Sequence, residues 1–139
     1  MRFKLRRVFT LRYLKHIIST PFILGVFPFL VLLDIAVEIY HRICFPLYNI
    51  KYVKRSNYII IDRHKLKYLS LKQKFFCVYC GYANGLFAYV SNIAFETENY
   101  WCKIKHNTYK GVSKDMHKNY LEYGDAKAHK KLNKDYYSR

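Results

Sequence analysis

A run of seventeen residues without a charge, Ile17 to Leu33 (IISTPFILGVFPFLVLL), constrains this chain more than any other feature. Wound as a helix it reaches about 25 Å, the short limit for crossing the hydrocarbon of a bilayer. Pro21 and Pro28 lie inside it, with Gly25 between them. Proline removes a backbone donor and bends a helix, so a kink is expected near Pro28. Asp34, Glu38, His41 and Arg42 follow at once, in a stretch otherwise apolar through Ile50. The run ends in Leu33-Asp34-Ile35 rather than at a small-residue cleavage site, which argues for an anchor and against a cleaved signal.

Both flanks of the run are basic. Arg2, Lys4, Arg6, Arg7, Arg12 and Lys15 precede it, and Lys51, Lys54, Arg55 and Arg63 follow. Two cytoplasm-like ends disfavour a simple crossing. A re-entrant or monotopic helix bent near Pro28 satisfies both flanks, a single span remains open, and a buried helix of a soluble protein is the third reading. Residues 1–16 form a basic amphipathic lead suited to an anionic membrane surface.

The formal net charge is +16, from 25 Lys plus Arg against 9 Asp plus Glu. Such a surface attracts anionic lipid or nucleic acid. A coding bias toward Lys, Asn, Ile and Tyr is the plainer source of the same excess. Some of the 15 tyrosines suit lipid interfaces.

Further along, residues 56–62 (SNYIIID) read as a short strand. Residues 63–76 are basic and helical or looped. Residues 81–100 suit a helix, with Tyr82, Leu86, Tyr89, Ile93 and Tyr100 near one face. Asn84-Gly85 interrupts that propensity and could mark a turn. Residues 113–132 read as a polar helix capped by Ser113 and ended at Gly124, with a charged tail beyond.

The chemistry-bearing pattern is Cys77-Val78-Tyr79-Cys80-Gly81, twenty-one residues after Cys80, then Cys102-Lys-Ile-Lys-His106. Zinc takes four N or S ligands in a tetrahedron, and short spacings let each pair grip from one turn. Gly81 suits a knuckle whose amides donate to thiolates. The expectation is a metal site made by Cys77, Cys80, Cys102 and His106. Zinc is the first candidate, and iron or an iron–sulfur cluster the alternative. A redox C-x-x-C, a disulfide and reduced core thiols are the remaining readings. Glu96 and Glu98 are candidates to orient His106.

A second polar constellation is Asp34, Glu38 and His41, spaced to share one helix face, with Asp62 and Arg63 as further members. Charges inside an apolar stretch are costly and often functional. The plain reading is a face turned to head groups or paired with Arg42, Arg55 or Arg63. Glu38-x-x-His41 is half of a carboxylate di-iron pattern, and no second half is present. His117, Glu122 and Asp125 carry no catalytic pattern.

From Ser19 to Asp125 the chain resembles an uncharacterised family of small bacterial membrane-associated proteins. Ser19-Thr20-Pro21, Leu33-Asp34, Asp62-Arg63, Cys77-x-Tyr79-Cys80 and Tyr82-Ala83-Asn84-Gly85 carry the resemblance. So do Thr97-Glu98, Tyr100-Trp101-Cys102-x-Ile104-Lys105-His106 and Tyr123-Gly124-Asp125. It implies that anchor and Cys/His set belong together, and it implies no activity. Lys103 stands where the pattern leads one to expect proline.

The expectation is therefore a mainly α protein with an N-terminal membrane helix, re-entrant or single-span. Residues 1–50 form the lead and membrane segment, 51–125 a small metal-stapled domain, and 126–139 a charged tail. The expected location is the bacterial inner membrane, with the soluble part cytoplasmic. The expected role is a membrane-anchored structural-zinc protein facing anionic lipid or a protein partner. An iron-based redox protein or enzyme and a nucleic-acid-binding zinc module are the alternatives. The anchor argues against the last.

Overall fold

The computed structural model describes the backbone of residues 2–108 and 114–137, and the side chains of residues 13–108 and 116–134. The side chains of the basic lead and the expected cap at Ser113 lie outside these. The described residues are mainly helical: α1 (Arg2–Gly25), α2 (Phe27–Leu47), α3 (Leu71–Trp101) and α4 (Ala126–Tyr137), with short 3-10 turns at Arg55–Asn57, Arg63–Lys65 and Lys114–His117. No strand is present among them, and the sole β pairing is an isolated parallel bridge between Ile104 and Leu121.

Helices α1 and α2 are separated by Val26 alone, whose own dihedrals are helical (φ −74°, ψ −23°). Pro28 falls in the first turn of α2, where a missing N–H costs nothing, and Leu30 N–H donates to Val26 O at 3.1 Å. The prolines therefore interrupt one rod without reversing it. The chain does not reverse at Val26, whose backbone is helical. Tyr13–Leu47 is long and apolar enough to cross a membrane, by length and composition.

Two side-chain signals bound the long elements. Asn49 adopts the left-handed region (φ 52°), Ile50 N–H reaches Phe45 O at 2.9 Å, and Asn49 N–H reaches Pro46 O at 3.3 Å. This pair of bonds is a Schellman closure of α2. Helix α3 opens with a capping box: Gln73 N–H donates to Ser70 Oγ, and Ser70 N–H donates to Gln73 Oε1.

Helices α2 and α3 lie side by side and run parallel. Tyr79 meets Ile23, Tyr82 meets Asp34, Tyr89 meets Glu38, and Tyr48 packs on Tyr100 and Trp101. The numbers ascend together along both helices. Parallel neighbours need a return, because α2 advances about 32 Å over its length. Residues 48–70 make that return as an irregular segment carrying Val53, Tyr58 and Ile59 into the core.

The core is Leu30 and Phe45 from α2, Val53 from the return segment, and Leu86, Tyr89 and Ile93 from α3. Backbone meets backbone where the return segment crosses α3. A Cβ on Gly85 would stand 2.6 Å from Tyr58 O and 2.8 Å from Ile59 Cα, and one on Gly81 would stand 3.3 Å from Ile60 O. These glycines, one helical turn apart, form a shallow groove for the crossing chain. That corrects two expectations. Residues 56–62 are no paired strand: they begin in a 3-10 turn, and the backbone of Tyr58 to Ile60 lies against a helix. Asn84-Gly85 is no turn, since its glycine is required for close approach inside a continuous helix.

The C-terminal part wraps the end of α3. Lys105 N–H donates to Leu121 O and Leu121 N–H to Lys103 O, at 2.8 and 2.7 Å. His117 and Tyr120 are buried, both packed against Phe95 of α3. Within the expected polar helix over 113–132, the described chain instead makes a 3-10 turn, then a bend at Gly124 (φ +84°). Helix α4 then starts with Asp125 Oδ1 accepting from Ala128 N–H. Gly124 thus precedes a helix rather than ending one.

Candidate functional site

The four expected metal ligands do not meet in this fold. Cys77 and Cys80 lie in the first half of α3 and Cys102 at its C-terminal cap. Helical rise puts Cys80 and Cys102 about 33 Å apart. A helix of this length is a rigid spacer, so it cannot close the two pairs on one ion. Cys44, Cys77, Cys80 and Cys102 are all free thiols. Gly81 serves packing under Ile60 and not a zinc knuckle.

The second constellation does assemble in part. Asp34, Glu38 and His41 face the return segment and α3 together, as their helical spacing requires. Arg55 Nη2 donates to Asp34 Oδ2 at 2.5 Å, and Tyr82 Oη donates to the same oxygen at 2.8 Å. Arg42 Nε donates to Glu38 Oε2 at 3.0 Å, and Arg55 Nε lies 3.6 Å from Glu38 Oε1. Asp62 and Arg63 are outside this seam, exposed at the second 3-10 turn. Of the basic partners considered, Arg42 and Arg55 are used and Arg63 is not.

His41 is fully buried and sits at the centre. The N–H of Val53, which can only donate, points at His41 Nε2 at 3.1 Å. Nε2 is therefore an unprotonated acceptor, and this assigns the ring proton to Nδ1. Nδ1–H then donates to Tyr89 Oη at 3.0 Å, and Tyr89 O–H donates to Glu38 Oε1 at 2.9 Å. The result is an oriented chain from backbone to carboxylate through imidazole and phenol. Tyr52 stacks on the imidazole with centroids 4.2 Å apart. Burial first, then the hydrogen bond to Asp34, pushes the Tyr82 hydroxyl up to about 12. Burial, then the bond to Glu38, raises Tyr89 as well. Both phenols remain donors at neutral pH.

An open hollow beside the seam is lined by Asp34, Ile35, Glu38, Ile39, Arg42 and Arg55. Asp34 Oδ1 is buried with no hydrogen-bond partner among the described residues. The seam's geometry suits holding the return segment on α2 more than it suits chemistry, because its acids are already paired.

A separate cluster joins Glu98, His106 and His117. Glu98 Oε2 is 3.1 Å from His117 Nε2, and Glu98 Oε1 is 3.8 Å from His106 Nε2. The two imidazoles are 5.6 Å apart at 80°. Of Glu96 and Glu98, the two residues expected beside His106, Glu98 lies near it, at a distance too long for a hydrogen bond. His117, set aside on the sequence, is the member that reading missed. Spacings of eight and eleven residues carry no local signal of proximity.

The outer face of α1 and α2 is bare. Phe22, Phe29, Leu32, Ile39, Ile43 and Leu47 recur at helical spacing and are each more than half exposed. Asp34, Glu38 and His41 of α2 point the other way, into the seam. No protein-family model, curated protein or solved structure matches the chain.

Proposed function

We propose that this protein is a membrane-attached module that seats the bare face of α1 and α2 on an anionic bilayer and presents α3 and its C-terminal wrap at that surface to a protein partner. One observation carries the reading: the apolar stripe from Phe22 to Leu47 is exposed along its whole length, while α2 is covered on its other side. A contiguous exposed stripe of this extent on a basic chain fits lipid contact. The net charge of +16 adds attraction to anionic head groups.

The in-plane arrangement is favoured over a vertical crossing. Helix α3 accompanies α2 from Ile23 to Tyr48, and the return segment with Lys54, Arg55, Arg63 and Lys65 lies along α3. Sinking Ile17–Leu33 through the hydrocarbon would carry part of that charged, irregular backbone with it, at a large desolvation cost. Lying flat leaves those groups in water.

Flotation with vesicles tests the reading. The full chain should float with phosphatidylglycerol-rich vesicles, weakly with phosphatidylcholine, and stay bound in high salt because insertion is not screened. Ile39→Glu with Ile43→Glu should release it while leaving circular dichroism unchanged. A wild-type chain that stays in the soluble fraction, or a double variant that floats equally well, would sink the reading. Thiol labelling of Tyr13→Cys and Tyr48→Cys, in a background with the native cysteines changed to serine, separates the orientations. Both positions reached from one side of the vesicle means in-plane; opposite sides means a span.

A further inference from the structure

Three chain segments end at one small cluster that the membrane reading does not use. Glu98 stands on the last turns of α3, where its own carbonyl accepts from Cys102 N–H at 2.7 Å. His106 lies two residues beyond Ile104, and His117 four residues before Leu121, and the Ile104–Leu121 bridge ties these two segments together. From this convergence we infer that Glu98, His106 and His117 form a binding site for a divalent transition-metal ion, with zinc as the preferred ion.

The geometry supports it. One carboxylate oxygen of Glu98 and one nitrogen from each imidazole all lie within 4.8 Å of one another. A tetrahedral zinc about 2.0–2.1 Å from each donor needs donors roughly 3.3 Å apart. The cluster must contract by at most about 1.5 Å at its widest edge to meet that geometry. The burial pattern allows this. His117 is 3 % exposed and held against Phe95 and Tyr120, so it acts as the fixed point. The His106 side chain is 53 % exposed and that of Glu98 32 %, so these two have solvent-side room to move toward it.

The donor set selects the ion class. Two imidazoles and a carboxylate suit zinc and its neighbours, whereas calcium and magnesium ask for oxygen. Three protein ligands leave a coordination position for water on the side of exposed His106. The local fold also has a use for the ion. Among its described residues the wrap contributes His117 and Tyr120 to the buried set, so a metal would fasten it to α3 beside a small packed contact. The competing account is that Glu98 merely hydrogen-bonds His117 and lies beside His106. It predicts the same resting contacts and no stoichiometric ion.

The test uses the full chain in detergent micelles, stripped with chelator and returned to neutral pH. Cobalt is titrated in and followed by its visible absorption, then displaced with zinc, and metal is counted after gel filtration. The expected result is one ion per chain. Glu98→Gln and His106→Asn should each weaken binding roughly tenfold or more; one changes a half-buried and the other an exposed group, and circular dichroism should confirm that both fold. A Cys77→Ser/Cys80→Ser variant should bind like the wild type. No stoichiometric metal, equal binding in Glu98→Gln and His106→Asn, or loss of binding in the cysteine variant would each overturn the inference. The outcome is independent of flotation, so this site and membrane attachment stand or fall separately.

Discussion

The two faces of α2 are opposites. One buries Leu30, His41 and Phe45 and spends every acidic side chain on a partner, while the other presents Phe29, Leu32, Ile39 and Ile43 to the outside. Neighbouring residues on one helix thus live in different solvents. The difference teaches where specificity resides. The inner face is defined by shape and hydrogen-bond direction, so single atoms matter there. The outer face is defined by hydrophobicity alone, and conservative changes should pass unnoticed.

Substitutions can break this contrast. Gly85→Ala should have the largest effect, because its methyl group would meet Tyr58 O at 2.6 Å and backbone cannot step aside. A loss of about 3 kcal/mol or more is expected in thermal or denaturant unfolding in micelles. An Ala variant as stable as the parent would mean that the return segment does not cross α3 there.

Tyr89→Phe comes next. It removes the hydroxyl shared by His41 Nδ1 and Glu38 Oε1 and leaves the buried imidazole N–H without that acceptor. A cost of about 2 kcal/mol is expected. The imidazole nitrogen chemical shifts should also change, since the partner of Nδ1–H is gone. Unchanged shifts would remove the oriented chain from the description.

Gly25→Ala sharpens the comparison from the other side. No atom lies within 4 Å of the added Cβ, and the residue is helical, so the gain in helix propensity should show as about 1 kcal/mol of added stability. A loss instead would place an unseen neighbour against the kink.

The smallest effect is alkaline. Tyr82 ionises near 10 when unfolded and near 12 when folded. The folded chain keeps the proton longer, so its stability is intact below pH 10 and declines as pH rises toward 12. Tyr82→Phe should flatten that decline in melts collected across this window. An equally steep decline in the variant would assign it to other groups.

Much of the helical content was legible. The apolar run announced α1 and α2, and the one-face spacing of Asp34, Glu38 and His41 foretold that they would point together. The stripe Leu86, Tyr89, Ile93 marked the buried side of α3. The Ser70-x-x-Gln73 box, a local signal for the start of α3, was also present and went unread. These features depend on the 3.6-residue period and on neighbours within a turn, which a sequence states directly.

Closure over distance was not legible. The count of twenty-one residues between Cys80 and Cys102 reads equally as a loop that brings two pairs together or as a helix that holds them about 33 Å apart. Nothing local distinguishes Arg55 from Arg63 as the partner of Asp34, and nothing marks His117 as a neighbour of Glu98. By itself the sequence determined the mainly helical class, the long apolar N-terminal helix and the charge around it, because each follows from composition and period. The tertiary structure alone decided that the cysteine pairs stay apart, that Gly81 and Gly85 make room for a crossing backbone, and that Glu98, His106 and His117 meet. Those outcomes depend on how a rigid helix and a returning chain share space, and residue spacing does not encode distance until that path is drawn.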